Sequence, residues 1–592
     1  MIGLLVGLSG ACGTDAIMLP KNFFNQKVKT ISIDYQSDEG ALSNLSGLQG
    51  GPAPLVSGDK SLQALYMESQ VNIVRVPQGY LCPYSLSWIF PDASADAFDP
   101  ASYKFQQFES GFAGYKPEYP GLDLVVEKAS AVGARVVFQA YSDLGTASCT
   151  VDAAGKMQGQ PLVDPAKWAH VVANVVRHYS KNILDPNRPG DTRWIPGAKS
   201  FNLNHIEFID EPMGRGGYTD VSVLAAHFAI FADVLKDEVV FPKFATGDSF
   251  ITLIAPSMLI AGANEVATHP MWDFVSELQA SGKLDSLDVL SYKTRVSSPQ
   301  ENHAIAIAIR EKMTALGLEK KLWNVGYRAS SDANPSPSGS KGTVGYWSSY
   351  EGAFATASKI LWQGLVDEAV YDRGDRRWLT MEQDDINQVE NSPLWDKAGA
   401  KRPAGISWLP WLIMASSGLA EENDKVRLSV SAPSELDAPG LAVSAVKCVG
   451  NSDVDEGSDS CTDKIYILIA NSNTQLKRAK VSYQITISGI DDDAVEPRTV
   501  KVQRSRIDQN TKEFAFGPDS FVQLSRGQSQ EQKQNCIIDN DCETSNKCCN
   551  GECQATTANC KPLLLLPFGS LSLTIDSTVP STDFILIDLS QQ

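Results

Sequence analysis

The chain has 592 residues, 43% of them hydrophobic and 20% charged, with 44 glycines and 31 prolines. That ordinary globular composition, at roughly 100–200 residues per domain, makes two to four domains around a large core and excludes a collagen, a disordered chain or a small disulfide-only scaffold. Its 70 acidic and 51 basic side chains leave a formal net charge of −19, which repels phosphate backbones, so nucleic acid and anionic membrane surfaces are excluded as expected partners and neutral or cationic ligands fit better.

From the N-terminus, residues 1–28 read as a leader and linker. Met1 to Thr14 carry no charged side chain and include the apolar run Ile2–Leu8, too short to span a bilayer but long enough for the apolar part of a signal peptide. Leu8-Ser9-Gly10-Ala11-Cys12 resembles a bacterial lipoprotein box, which makes Cys12 the lipidated first residue of the mature protein. A plain signal peptide stays open beside it, because no Lys or Arg precedes Cys12 and Ser9 stands where such boxes prefer Leu. The expected location is a bacterial cell envelope or the extracellular space, with membrane contact only through a lipid anchor.

Residues 29–420 alternate short β-branched runs with amphipathic helical windows, the pattern of βα units around a parallel sheet. The strands read as Lys29–Asp34, Asn72–Val76, Arg135–Ala140, His205–Asp210, Thr252–Ala255, Val289–Tyr292, Leu322–Val325 and Ala369–Tyr371, the number that closes a (β/α)8 TIM barrel in the α/β class. Between them, Asp164 caps a helix over Pro165–Tyr179, and Gly317 ends one running from about Glu301 to Leu316. Over residues 421–592 the period changes to two, in Val426–Val430, Ile465–Ala470, Val481–Ile487, Thr499–Val502, Ser570–Ile575 and Phe584–Leu589, a β-sandwich signature.

Within the sandwich, residues 530–562 carry Cys536, Cys542, Cys548, Cys549, Cys553 and Cys560, a density typical of disulfide frameworks made in an oxidising compartment. The run resembles a knottin-like insertion; its fifteen possible pairings stay open. Cys448 and Cys461 bracket an acidic loop and are expected to bridge, while Cys82 and Cys149 follow two barrel strands and could pair at one barrel end. No Gly-rich phosphate loop and no His-x-x-x-His pattern is present, so no cofactor and no metal are expected.

In such a barrel the working residues close the strands at their C-terminal ends. Asn204-His205-Ile206-Glu207-Phe208-Ile209-Asp210-Glu211-Pro212 is a strand that ends in two carboxylates and a proline. It resembles the acid/base strand of clan A glycoside hydrolases, with Asp210 in place of the usual Asn. The resemblance makes Glu211 the general acid/base, protonating the leaving glycosidic oxygen. The surrounding order is similar to glycoside hydrolase family 39, the β-xylosidase and α-L-iduronidase family, over most of residues 29–592. Val71–Val76 with Arg75, Asp99-Pro100-Ala101-Ser102-Tyr103-Lys104-Phe105, Leu122–Gln139, Ser291-Tyr292 and Arg506-Ile507-Asp508 follow the family's order. This implies a saccharide substrate or ligand, met by Arg75, Asp210, Tyr292, Lys293 and Tyr327. Tyr141, Tyr218 and Trp378 are further aromatics near strand ends, and His205 reads as structural.

Two further positions depart from the family, and with Asp210 all three fall at the same barrel mouth. Its seventh strand ends in a Thr-Glu-Trp-Asn-Ala-Ser pattern whose Glu is the nucleophile; laid on Leu322–Ser330, this puts Gly326 at the Glu and Tyr327 at the Trp. A shift by two residues offers only Asn324. On the sixth strand, Lys293 stands where the family has a histidine. Two function classes therefore stay open beside a weaker one, a structural surface lipoprotein. The first is an exported glycoside hydrolase acting on O-glycosidic bonds, with a displaced second carboxylate such as Asp332, Asp288 or Glu265, or an inverting mechanism. The second is a catalytically inactive carbohydrate-binding surface protein on a degenerate barrel.

Overall fold

The computed structural model describes residues 28–49, 70–76, 86–107, 122–140, 161–180, 203–214, 216–238, 251–330, 349–372, 407–415, 423–433, 440–450, 464–472, 480–490, 499–508, 520–523, 546–549, 552–555, 571–578 and 580–589, with a few isolated positions besides. Residues 1–27, with Cys12, lie outside these, as do Cys82, Cys149, Cys461, Cys536, Cys542 and Cys560. No helix among the described residues is long and apolar enough to cross a membrane.

Strand β1 (Lys29–Asp34) does not open the barrel. It buries Ile31 and Ile33 and exposes Thr30, Ser32 and Asp34, whereas a barrel strand is covered on both faces and must be apolar throughout. It lies instead in a sandwich sheet, parallel to β14 (Lys480–Ser488) and antiparallel to β11 (Ser429–Ser431). The first barrel strand is β2 (Gly47–Gln49), buried at all three residues. Gly47 is required there, because a Cβ would fall 2.6 Å from the Ala369 carbonyl oxygen of the neighbouring strand.

The barrel closes through β2, β3 (Ile73–Val76), β4 (Arg135–Gln139), β5 (His205–Glu207), β6 (Thr252–Ile260), β7 (Val289–Val296), β8 (Lys321–Ala329) and β9 (Glu368–Tyr371). All neighbours are parallel. Strand β6 runs five residues and β7 and β8 four residues past their expected ends, and register shifts occur where β6 meets β7, β7 meets β8 and β8 meets β9. Ile73, Val137, Ile254, Val289, Trp323, Val325 and Val370 form one buried cluster of alternate strand residues that fills the interior. His205 stacks on Trp323 with 5.7 Å between ring centroids.

Around the barrel lie α1 (Leu122–Ala131), α2 (Pro165–Tyr179), α3 (Val221–Glu238), α4 (Met271–Ala280), α5 (Pro299–Ala315) and α6 (Ser349–Leu361). The Asp164 side chain accepts from the Lys167 N–H at the start of α2. Gly317 at φ +66° turns the chain out of α5, and the Leu318 N–H closes on the Met313 carbonyl, the glycine-terminated helix end expected.

The sandwich has a four-stranded sheet, β11-β1-β14-β19 (Leu571–Thr578), and a six-stranded one. The second runs β10 (Asn423–Arg427), β12 (Leu441–Gly450), β13 (Lys464–Asn471), β20 (Ser581–Asp588), β15 (Thr499–Ile507) and β16 (Ser520–Gln523). Helix α6 and α7 (Trp408–Ala415) join the domains: Ile360, Trp411 and Leu412 pack with Ala442, Leu468 and Phe584 of the sandwich. Within the cysteine-rich run the described part is one hairpin, β17 (Asn546–Cys549) with β18 (Glu552–Ala555).

Candidate active site

Side chains alternate across a strand, so the residue two past an interior packing position also points inward and nearer the C-terminal end. Arg75 stands two past Ile73, Glu207 two past His205 and Asp372 two past Val370. Arg75 is wholly buried. Its Nε donates to Glu207 Oε2 at 2.6 Å and its Nη2 to Glu207 Oε1 at 2.7 Å, a bidentate fork. The same Nη2 donates to Asp210 Oδ1 at 2.8 Å and Nη1 to Gln49 Oε1 at 3.1 Å. Burial opposes the charge of this guanidinium, but the Glu207 and Asp210 carboxylates raise its pKa above the ordinary value.

Lys293 continues the network from β7. Its Nζ donates to Asp210 Oδ2 at 3.1 Å and to Glu211 Oε1 at 2.9 Å. Burial alone would raise the Asp210 carboxyl, yet Lys293 and Arg75 pull it down to about 2. Arg295, two residues on, donates through Nη2 to the same Glu211 Oε1 at 2.7 Å. That oxygen thus holds two charged donors, where a general acid must present its proton to a leaving group.

Asp372 completes the set. Its Oδ2 lies 3.4 Å from Arg328 Nε and 3.9 Å from Arg295 Nη2. Burial would raise this carboxyl too, but Lys293, Arg328 and Arg295 hold it below the usual range. The mouth is therefore a connected network of four cations (Arg75, Lys293, Arg295, Arg328) and four carboxylates (Glu207, Asp210, Glu211, Asp372). Its charges balance.

Glu211 sits in the left-handed region at φ +46°, a conformation that costs a non-glycine residue on the order of 1–3 kcal/mol and concentrates at functional sites. The fold compensates with backbone bonds: the Glu211 N–H donates to the Ser257 carbonyl at 3.2 Å, and the Glu211 carbonyl accepts from Gly214 and Gly216 at 2.9 and 3.0 Å. Ser257 is itself left-handed at φ +54°.

At the expected nucleophile position, Gly326 is the register partner of Lys293. A Cβ on Gly326 would lie 2.6 Å from Lys293 Cε and 3.4 Å from its Cδ and Cγ. The lysine stem fills the space that a carboxylate side chain would need.

Arg75, Asp210, Lys293 and Glu211 are thus brought together as the sequence implied, but Tyr292 and Tyr327 are not. Both are fully buried. Tyr327 packs edge-on against Trp362 at 4.8 Å and against Tyr371 at 5.4 Å, in the layer between strands and helices. On β7 the reason is the strand period, which turns Tyr292 away from inward Lys293. On β8 it is the register shift between Asn324 and Tyr327, which adds one residue after interior Val325, sets Gly326 beside Lys293 and turns Tyr327 outward. Tyr218 is buried as well, its hydroxyl on His227 Nδ1. Asp288 starts β7 at the opposite end of the barrel, accepting from the Leu253 N–H and Lys236. Glu265 accepts from the Ala261 N–H in the turn after β6. Asp332, Tyr141 and Trp378 lie outside the described residues. His205 is pushed down to about 4, by burial first and then by Arg135 and Lys321, and so is neutral in the barrel interior.

Sequence reasoning missed Gln49, Glu207, Arg295, Arg328 and Asp372. Arg295 and Asp372 continue the period of two past the expected strand ends, and Glu207 lies within the expected strand His205–Asp210. Arg328 is turned inward by the register shift in β8, and Gln49 lies on a strand too short to show a period. It also missed Glu351, behind the mouth on the first turn of α6. This wholly buried carboxyl accepts from the Tyr371 hydroxyl at 2.6 Å and the Ala329 N–H at 3.4 Å, and burial pushes it up to about 7. Among the described residues no cluster could hold a metal ion.

The fold has many solved relatives. The glucosidase of Croceicoccus marinus is 17% identical, with 95% of this chain and 99% of that one covered at a TM-score of 0.57. The GH39 enzyme of Xanthomonas axonopodis pv. citri is 12% identical over 96% and 99% of the two chains at 0.55. The fold is family 39-like. A monomeric β-xylosidase of Caulobacter crescentus CB15 shares this family 39-like barrel and sandwich, 12% identical over 95% and 100% of the chains at 0.55. No family model matches the sequence, and no curated protein does.

Proposed function

We propose that the barrel mouth recognises a saccharide without cleaving it by the double displacement of retaining glycosidases. The saccharide comes by analogy with the glucosidase and xylosidase that share the fold, an argument at fold level. The loss of turnover rests on one observation: Lys293 Cε lies 2.6 Å from where a Gly326 Cβ would stand. A retaining enzyme needs a second carboxylate about 5–5.5 Å from the acid to attack the anomeric carbon, and the residues opposite Glu211 supply cations. Gly326→Glu alone should restore nothing, since its side chain meets the pinned lysine.

A second reading has one specific observation in its favour. Asp372 is a strand-end carboxylate held ionised, and Arg295 Nη2 reaches both it and Glu211, so a hydrolase could use Asp372 as base or nucleophile beside Glu211. The compartment that suits either reading is a bacterial envelope or extracellular space, reached through the leader with Cys12, where the C-terminal cysteines would pair.

Aryl xyloside, glucoside, galactoside, arabinoside and uronide, titrated calorimetrically and assayed for release, separate the two. The first reading expects binding of at least one glycoside with no release. Release that disappears in both Glu211→Ala and Asp372→Asn overturns it in favour of the hydrolase.

A further inference from the structure

Arg295 and Arg328 are the most open members of the network, 22% and 17% exposed at their side chains, whereas its other members reach at most 9%. They are register partners on β7 and β8, and neighbouring strands run about 4.8 Å apart, so the two guanidiniums lie side by side across the mouth. A guanidinium carries five N–H donors in a planar fork. Arg295 directs one nitrogen to Glu211, and its Nε is buried without a hydrogen-bond partner among the described residues. Among the described residues Arg328 Nε is likewise buried and without a hydrogen-bond partner, with Asp372 Oδ2 3.4 Å away and outside hydrogen-bond geometry. Buried donors left unmade are costly, and native structures avoid them.

We propose that Arg295 and Arg328 form an oxyanion-binding site at the barrel mouth, for a carboxylate, sulfate or phosphate group. Two adjacent forks match the paired oxygens of such a group, which guanidinium recognises bidentately. A neutral hydroxyl offers a single uncharged oxygen, which cannot bridge the two nitrogens of a fork as a pair of charged oxygens does. The chain's overall charge of −19 acts against anions at long range, but it is screened beyond about 8 Å at physiological salt, whereas contact donors in a partly buried site are screened much less. Asp372 is the internal competitor: its Oδ2 faces both arginines, so an incoming oxyanion takes the donors that Asp372 approaches without engaging.

The oxyanion can be free or carried on a sugar, and the second case deepens the saccharide reading and rests on it. Two arms separate the cases: inorganic sulfate and phosphate titrated against sodium chloride at equal ionic strength, and glucuronate titrated against glucose. The variants give opposite signs. Arg328→Gln should weaken sulfate binding tenfold or more and Arg328→Lys less, because the charge stays and the fork is lost; Asp372→Asn should tighten it several-fold. Far-ultraviolet circular dichroism of each variant confirms folding. Sulfate binding at the chloride baseline, unchanged by Asp372→Asn, overturns the site even if Arg328→Gln does not fold. Glucose bound as tightly as glucuronate overturns the carried oxyanion and leaves the saccharide reading standing. Sulfate bound with neither sugar bound keeps the anion site and removes the saccharide.

Discussion

Strands β8 and β9 present opposite chemistry on their two faces within one residue. Arg328 and Asp372 point into the mouth, while their neighbours Ala329 and Tyr371 point outward and hold Glu351. On the inner face burial is opposed by cations, and Asp210 and Asp372 are held below the usual carboxylate range. On the outer face Glu351 has a hydroxyl and an amide for partners, and the same burial raises it to about 7. Burial alone therefore does not decide whether a carboxyl is charged; the partner does.

The sharpest way to break the inner face is Arg75→Met. It leaves Glu207 and Asp210 buried without their shared cation, and removing one partner of a buried pair costs about 3–5 kcal/mol. Urea unfolding should show that loss; a cost under ~1 kcal/mol would mean the network is only loosely packed. The outer face is tested by pH. The folded Glu351 carboxyl lies near 7, above its ordinary 4.5. Its contribution is intact below about 4.5 and declines by ~1.4 kcal/mol per pH unit as pH rises to about 7, then levels off. Glu351→Gln should remove that slope. Asp210 has the opposite sign, its stabilisation being present above about 4 and lost as pH falls toward 2.

A smaller effect is expected where the lysine crosses Gly326. Gly326→Ala adds only a methyl group, but Lys293 is pinned at Nζ by two carboxylates, so the overpacking should cost ~1–3 kcal/mol. A neutral result in thermal unfolding would show that Lys293 moves aside and that the nucleophile space can open. Smallest is Asp164→Ala at the start of α2, away from both faces, which should cost about 1 kcal/mol through the lost cap and leave ligand binding at the mouth unchanged.

Much of this was legible in the sequence because it followed local pattern. The Pro165 and Gly317 boundaries, the sandwich strands after residue 421 and the pair Asp210-Glu211 before Pro212 all carry their signal within a few residues. The three-residue strand Gly47–Gln49 does not: it is too short to show a period and is held by the approach of Ala369. Lys29–Asp34 has a strand pattern, yet its partners are Ser429–Ser431 and Lys480–Ser488, some 400 residues away. In the site, Lys293 and Gly326 read as two separate substitutions at one barrel mouth. Only their register pairing makes them one change, with the lysine stem in the space the glycine vacates.

The central claim is that this mouth binds and does not cut. Its most direct test is single-turnover release of aryl alcohol from whichever aryl glycoside binds, with wild-type protein in excess over the glycoside. The account predicts saturable binding with release no faster than in buffer. Release that follows the bound fraction and vanishes in Glu211→Ala would contradict it.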